Sequence, residues 1–281
     1  MKKLAAIFIA LLFASTASAQ VISNPTTNAR MDGMGVGNWQ IEDDFNIWVN
    51  PAQLSNYKNA IYGELGMYPE GNTVAGAATT NDRTDAWGGM NVDTSYGTWG
   101  VYLGRPYSGP LEVLPGTPPP ANWFDLFYSR GTFGVYLGYA NTSTETSNGI
   151  DTKNESSELN LGAGVNLMDG ALELALNLGL PSSECENGTG IGGDCTGTAE
   201  DDASANFAVF ARYHMAHASG KYLASLRFVS TDATVDGGED ESLQTIDLGF
   251  TSNSKPNDAT LLVAGIGISN TSGDSAGGTS D

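Results

Sequence analysis

Leu172-Glu173-Leu174-Ala175-Leu176-Asn177-Leu178-Gly179-Leu180 places leucine at every even position and a small or polar residue at every odd one. A β-strand turns successive side chains to opposite faces, so this stretch makes a strand with one apolar and one polar face. The same alternation surrounds it. Leu159, Leu161, Ala163, Val165 and Leu167 interleave with Asn160, Gly162, Gly164 and Asn166. Phe133, Val135, Leu137 and Tyr139 interleave with Gly134, Tyr136 and Gly138, and Leu262, Ala264, Ile266 and Ile268 with Val263, Gly265 and Gly267. Tilted segments of this length can cross a bilayer.

A soluble sandwich also alternates, so the connections have to discriminate. Strands are expected at 58–67, 84–93, 97–105, 121–129, 132–141, 157–167, 171–180, 204–214, 220–230, 242–252 and 259–269. Between them long connections (68–83, 106–120, 142–156, 181–203, 231–241) take turns with short ones (94–96, 130–131, 168–170, 215–219, 253–258). Short turns on one side and long loops on the other belong to outer-membrane barrels. Aromatic residues near strand ends (Tyr57, Tyr68, Trp99, Tyr107, Trp123, Tyr213 and Tyr222) suit interfacial girdles. The expected fold class is therefore all-β: a transmembrane antiparallel up-and-down β-barrel over 58–281, with an N-terminal hatch or plug segment at 20–57.

Composition agrees with a folded, glycine-rich β protein. There are 36 glycines, only 16% of residues are charged, and the formal net charge is −20. So acidic a chain lacks the clustered cations that nucleic acid or anionic phospholipid requires, so no nucleic-acid partner is expected. Residues 1–19 read as a signal peptide. Met1-Lys2-Lys3 is basic, Leu4 to Phe13 is apolar, and Ala17-Ser18-Ala19 suits cleavage before Gln20. No cysteine follows the cleavage site to carry a lipoprotein anchor, and no later apolar run reaches the roughly 20 residues of a spanning helix.

Few residues of the chain suggest chemistry. His214 and His217 are the only histidines, and hydration of a short turn accounts for them. No nucleophile elbow, phosphate loop or dinucleotide fingerprint is present, so neither an enzyme nor a cofactor is expected. Acidic residues crowd two loops: Glu184, Glu186, Asp194, Glu200, Asp201 and Asp202 in one, Asp232, Asp236, Glu239, Asp240 and Glu241 in the other. They read as solvated surface without the ligand spacing of a calcium loop, and no metal site is assigned. Cys185 and Cys195, exported and close in sequence, are expected to form a loop-stapling disulfide. With the leucine stripes facing lipid, Glu173, Arg212, Arg227 and Asp247 point into the lumen from consecutive strands. There they either neutralise one another or line a permeation path.

Residues 20–57 do not alternate. They carry Gly33, Gly35 and Gly37, then Asp43-Asp44, then Asn50-Pro51-Ala52 with Leu54. In this segment the chain resembles the FadL/TodX family of outer-membrane transporters for hydrophobic compounds, and the related PorV-like barrels. The detailed resemblance spans about 35 residues, a piece too small for a separate domain. It implies that 20–57 fold into the barrel as a hatch. It also implies passive uptake of hydrophobic small molecules such as long-chain fatty acids or hydrocarbons. Tyr107, Leu111, Val113, Leu114 and Trp123 would form the capture loop, stiffened by Pro115 to Pro120. Lipid of the outer membrane and a hydrophobic ligand are the implied partners. The alternatives are a PorV-like barrel that docks or shuttles protein partners, and a general porin. Bacterial single-chain barrels have even strand counts, and Ser272 to Asp281 reads as a loop. The resemblance thus places about three further strands beyond Asp281, as in a C-terminally truncated chain.

Overall fold

In a computed structural model of the chain, the residues described are 44–67, 84–105, 123–147, 151–186, 198–201, 206–233, 241–257 and 260–274. The strands are β1 (Ala60–Met67), β2 (Thr84–Thr94), β3 (Gly97–Arg105), β4 (Trp123–Arg130), β5 (Phe133–Ser147) and β6 (Asp151–Leu167). They continue with β7 (Leu172–Glu186), β8 (Thr198–Asp201), β9 (Asn206–His217), β10 (Gly220–Ala233), β11 (Glu241–Asn257) and β12 (Thr260–Asp274). All join one antiparallel sheet in sequence order, with the four-residue β8 set aside on β7 and β9 pairing β7 directly. Each of the segments expected as a strand forms one, and several run further. β5 and β6 stay paired out to Ser147 and Asp151, so most of the expected loop 142–156 is hairpin.

The sheet does not close. β1 pairs with β2 and β12 with β11, and these two strands bear the free edges of the sheet. In an antiparallel path each strand reverses its neighbour, and the continuous path holds eleven described strands. β1 and β12 therefore run in the same direction, so their edges could meet only as a parallel pair, and in the described sheet they do not meet. This overturns the expected transmembrane barrel. With it go the lumen, the channel for passive uptake, the general porin and the docking barrel, and also the outer-membrane localisation that rested on closure.

The two faces of the sheet follow from the register. Reading across β3 to β7, Val101 stands beside Leu126, Leu126 beside Leu137, Leu137 beside Leu161 and Leu161 beside Leu178. The row one residue away brings together Asp125 with Gly138, Gly138 with Asn160, and Asn160 with Gly179. The apolar face is exposed: Leu176 retains 51% of its accessible surface, Leu248 51% and Ile268 73%. On the opposite face, Asp125, Asn160, Glu173, Arg212, Arg227 and Asp247 are all buried.

Residues 44–57 lie on that polar face as two 3-10 turns, Asp44–Ile47 and Pro51–Asn56. The Asn50 side chain caps the second by accepting from the Ala52 amide at 3.1 Å, and Pro51 has no amide hydrogen to leave unpaired. Phe45, Ile47, Trp48 and Leu54 are buried in a cluster with Trp87, Tyr102, Phe127 and Tyr136. Trp48 is its centre, its ring meeting Tyr102 edge-on at 4.8 Å and Phe127 at 5.5 Å, a favoured aromatic geometry. Two glycines make room for this approach. A Cβ on Gly134 would strike the Pro51 backbone, and one on Gly164 would strike the Asn50 amide oxygen. Gly164→Ala should therefore displace the Asn50 cap and cost about 1–3 kcal/mol, read as a lowered urea midpoint. An unchanged midpoint would mean that this close contact is not formed.

Candidate functional site

One cluster of ionisable groups on the polar face lies near the end of the sheet where the short turns lie. Glu173 on β7 is 4% exposed and pairs in register with Arg212 on β9 and Asn166 on β6. Arg212 donates from Nε, at 2.9 Å, and from Nη2 to one and the same oxygen, Glu173 Oε2. The other carboxylate oxygen, Oε1, lies 2.6 Å from His214 Nε2. Asn50 reaches the same cluster, donating from Nδ2 to Asn166 Oδ1 at 2.9 Å, with Glu173 Oε2 at 3.5 Å. The carboxylate thus ties β7 and β9 to the segment lying over them, and Asn50 carries the link on to β6.

Burial by itself would raise the Glu173 carboxyl, but the hydrogen bond from His214 and the Arg212 guanidinium outweigh it and hold the pKa down, from 4.5 to about 2. Further across the sheet, Arg227 on β10 donates to Asp247 on its register partner β11 at 3.2 Å, both side chains almost wholly buried. Under the aromatic cluster, Asp125 accepts from Trp48 Nε1 at 3.2 Å and from the Tyr136 hydroxyl at 2.8 Å. Burial also drives the Tyr102 phenol far above its usual range, and its hydroxyl donates to Asn91 Oδ1 at 2.8 Å.

The charged residues singled out from the sequence, Glu173, Arg212, Arg227 and Asp247, therefore meet as two ion pairs on the polar face, with no enclosed lumen for them to line. Asn50, Pro51 and Ala52 lie at the start of the second 3-10 turn, while Gly33, Gly35, Gly37 and Asp43 fall outside the described residues. Of the expected capture loop, Tyr107, Leu111, Val113 and Leu114 also fall outside them. Trp123 is not a loop residue: it opens β4 and is 1% exposed on the polar face. Cys185 lies in β7, and Cys195 is outside the described residues. His214 and His217 end β9 instead of forming a hydrated turn, and His214 is drawn into the Glu173 cluster. Alternation cannot reveal that contact, because it depends on which strands become neighbours. Asp125, Tyr136, Asn160 and Asn177 also belong to the polar face, and their odd or even position opposite each apolar stripe was the available signal. Among the described residues no three His, Cys, Asp or Glu side chains converge as metal ligands.

The other face has the opposite chemistry. Met90 and Val92, Trp99, Val101 and Leu103, Phe124, Leu126 and Tyr128, Val135, Leu137 and Tyr139, and the even leucines of β7 project from it. The stripe goes on through Val209 and Tyr213, Tyr222 and Leu226, Ile246, Leu248 and Phe250, and Ile266 and Ile268. Aromatic rings collect at its turn end, where Trp99 and Tyr128 approach to 4.7 Å and Tyr222 stacks on Phe250 at 5.5 Å.

Comparison with family models, with curated proteins and with solved structures gives no match. The resemblance to the FadL/TodX and PorV groups is therefore not supported, and the open sheet departs from the closed barrel it implied. The tripeptide Asn50-Pro51-Ala52 is explained by local geometry, as a cap and a proline-led turn seated on Gly134 and Gly164. Replacing Glu173 by Gln should remove the charge that Arg212 and His214 face and cost about 3–5 kcal/mol, as broken buried pairs do. Since the folded-state pKa is depressed, the stabilisation is complete above 4.5 and disappears as the pH falls towards 2. Acid titration of unfolding should show this loss in the parent chain and a flatter profile in Glu173→Gln; superimposable profiles would refute it.

Proposed function

We propose that this chain is a non-catalytic, lipid-binding sheet protein whose apolar face lies against acyl chains. The observation that carries the reading is the inversion of the sheet: large hydrophobic side chains are exposed on strands from β1 to β12 while arginine, aspartate and glutamate are buried behind them. A water-soluble protein rarely leaves an apolar patch of such extent uncovered.

Two further features favour lipid as the cover. Between Arg130 at the turn end and Ser157 or Gln244 towards the other end, the rows in register on this face carry no charged side chain among the described residues. In addition, Tyr96, Trp99, Tyr213 and Tyr222 rim the turn end, where rings with one polar atom suit the boundary between acyl chains and water. The free edges limit how this contact is made. Among the described residues β1 and β12 each pair on one side only, and acyl chains would not satisfy backbone groups left on the other. The reading is therefore attachment through one face, and it involves neither passage across a bilayer nor transport.

Trp99 is 44% exposed on the apolar face, whereas Trp48, Trp87 and Trp123 are buried on the other. Vesicles of phosphatidylcholine with brominated acyl chains should quench the fluorescence of the parent chain, and Trp99→Phe should lose most of that quenching. Equal quenching in both, or none in either, would remove the acyl-chain contact.

A further inference from the structure

Several buried polar atoms keep no hydrogen-bond partner after the ion pairs and the seated segment 44–57 are accounted for, and among the described residues Asn160 is the buried amide with neither end paired. Asn160 on β6 is 2% exposed, and neither its Oδ1 nor its Nδ2 has a hydrogen-bond partner. Buried amides are almost always paired, so an orphan on both ends calls for a cause. A second orphan stands beside it. Asn177 on β7 donates from Nδ2 to the Val49 carbonyl at 3.0 Å, but its Oδ1 is unpartnered. That oxygen lies over Gly162, since a Cβ on this glycine would stand 2.6 Å from it, and Gly162 is the next polar-face position along β6 from Asn160.

The neighbouring strand supplies the other wall. The register partner of Asn160 on β5 is Gly138, and over that glycine lies the Tyr136 hydroxyl with its acceptor, Asp125 Oδ1. The Tyr136 ring borders Gly162, where a Cβ would come 3.0 Å from its Cδ1, and its far side stacks on Phe127 at 4.6 Å. Four consecutive strands thus bring two amides, a phenol, a carboxylate and an aromatic ring to one patch.

The unpartnered atoms define what would fit. Two amide oxygens need donors and one amide nitrogen needs an acceptor. A carboxylate or phosphate ligand would meet the buried Asp125 nearby, and a bare cation would leave Asn160 Nδ2 unpaired. Adjacent hydroxyl groups donate and accept from neighbouring atoms and satisfy both ends of an amide at once. The C–H face of a sugar also suits an aromatic wall. We propose that Asn160 and Asn177, flanked by Tyr136 and Asp125, form a binding site for a neutral polyhydroxylated ligand of the sugar class. This site is independent of the acyl-chain contact, which uses the opposite face.

The test uses the full chain in detergent, purified without glycerol or sugar and titrated with D-glucose, D-galactose, maltose and sucrose. Trp48 serves as reporter, because its indole donates to Asp125. At least one sugar should give a saturable change. Asn160→Leu, which keeps the volume but has no polar atoms, should weaken that binding at least tenfold while raising the melting temperature of the sugar-free protein. Asn160→Asp, which exchanges the donor for a second acceptor, should also lose binding and covers the case in which the leucine variant does not fold. No saturable response to any of the four sugars would overturn the proposal. So would a response that survives both substitutions, or a lowered melting temperature in Asn160→Leu without any sugar effect, the mark of a site that holds only water.

Discussion

A β-strand must send consecutive side chains to opposite faces, and in this chain that constraint separates two chemistries across a single sheet. Leucine, isoleucine, valine and aromatic rings take one face from β1 to β12, and asparagine, glutamate, aspartate and arginine take the other. The usual arrangement is reversed, with charge inside and hydrocarbon outside. Each feature with functional meaning follows from that reversal: the cover needed by the apolar face, the pairing demanded of every buried charge, and the orphaned amides of the polar face.

Buried charge is tolerable only when its partner is in place, and strand register places it. Glu173 faces Arg212 and Arg227 faces Asp247 because those residues are register partners on adjacent strands. The Glu173 cluster carries more than neutralisation, since His214 and Asn50 join it and the 3-10 turns are thereby joined to β6, β7 and β9. The aromatic cluster around Trp48 anchors the same turns on β2 to β5. Removing either support leaves the segment held on one side only.

Local geometry accounts for motifs that otherwise invite a family reading. Asn50-Pro51-Ala52 is a cap followed by a proline at the start of a short 3-10 turn, a combination favoured wherever a chain begins such a turn. Gly134 and Gly164 lie where that turn presses on the sheet, and the missing Cβ is the reason for their positions. Gly170 ends the turn Met168-Asp169-Gly170 with φ of +87°, a backbone conformation that side chains disfavour.

The strands and the division of their faces were legible in the sequence because alternation is local: a run such as 172–180 defines its own two faces wherever it is placed. Glu173, Arg212, Arg227 and Asp247 could likewise be assigned to the polar face by counting from the leucines. The loop expected at 142–156 was not legible, because Thr142 to Ser147 and Asp151 to Ser156 are polar on both faces and become strand by pairing with each other. The contacts of His214 and Trp48, and the isolation of Asn160, depend on which strands become neighbours, on register and on what lies above them. Closure depended most on the tertiary structure. Each hairpin looks the same in an open sheet and in a ring, and the difference is decided by the number and direction of all the strands together. In the described sheet, β1 and β12 run in the same direction and their edges stay apart.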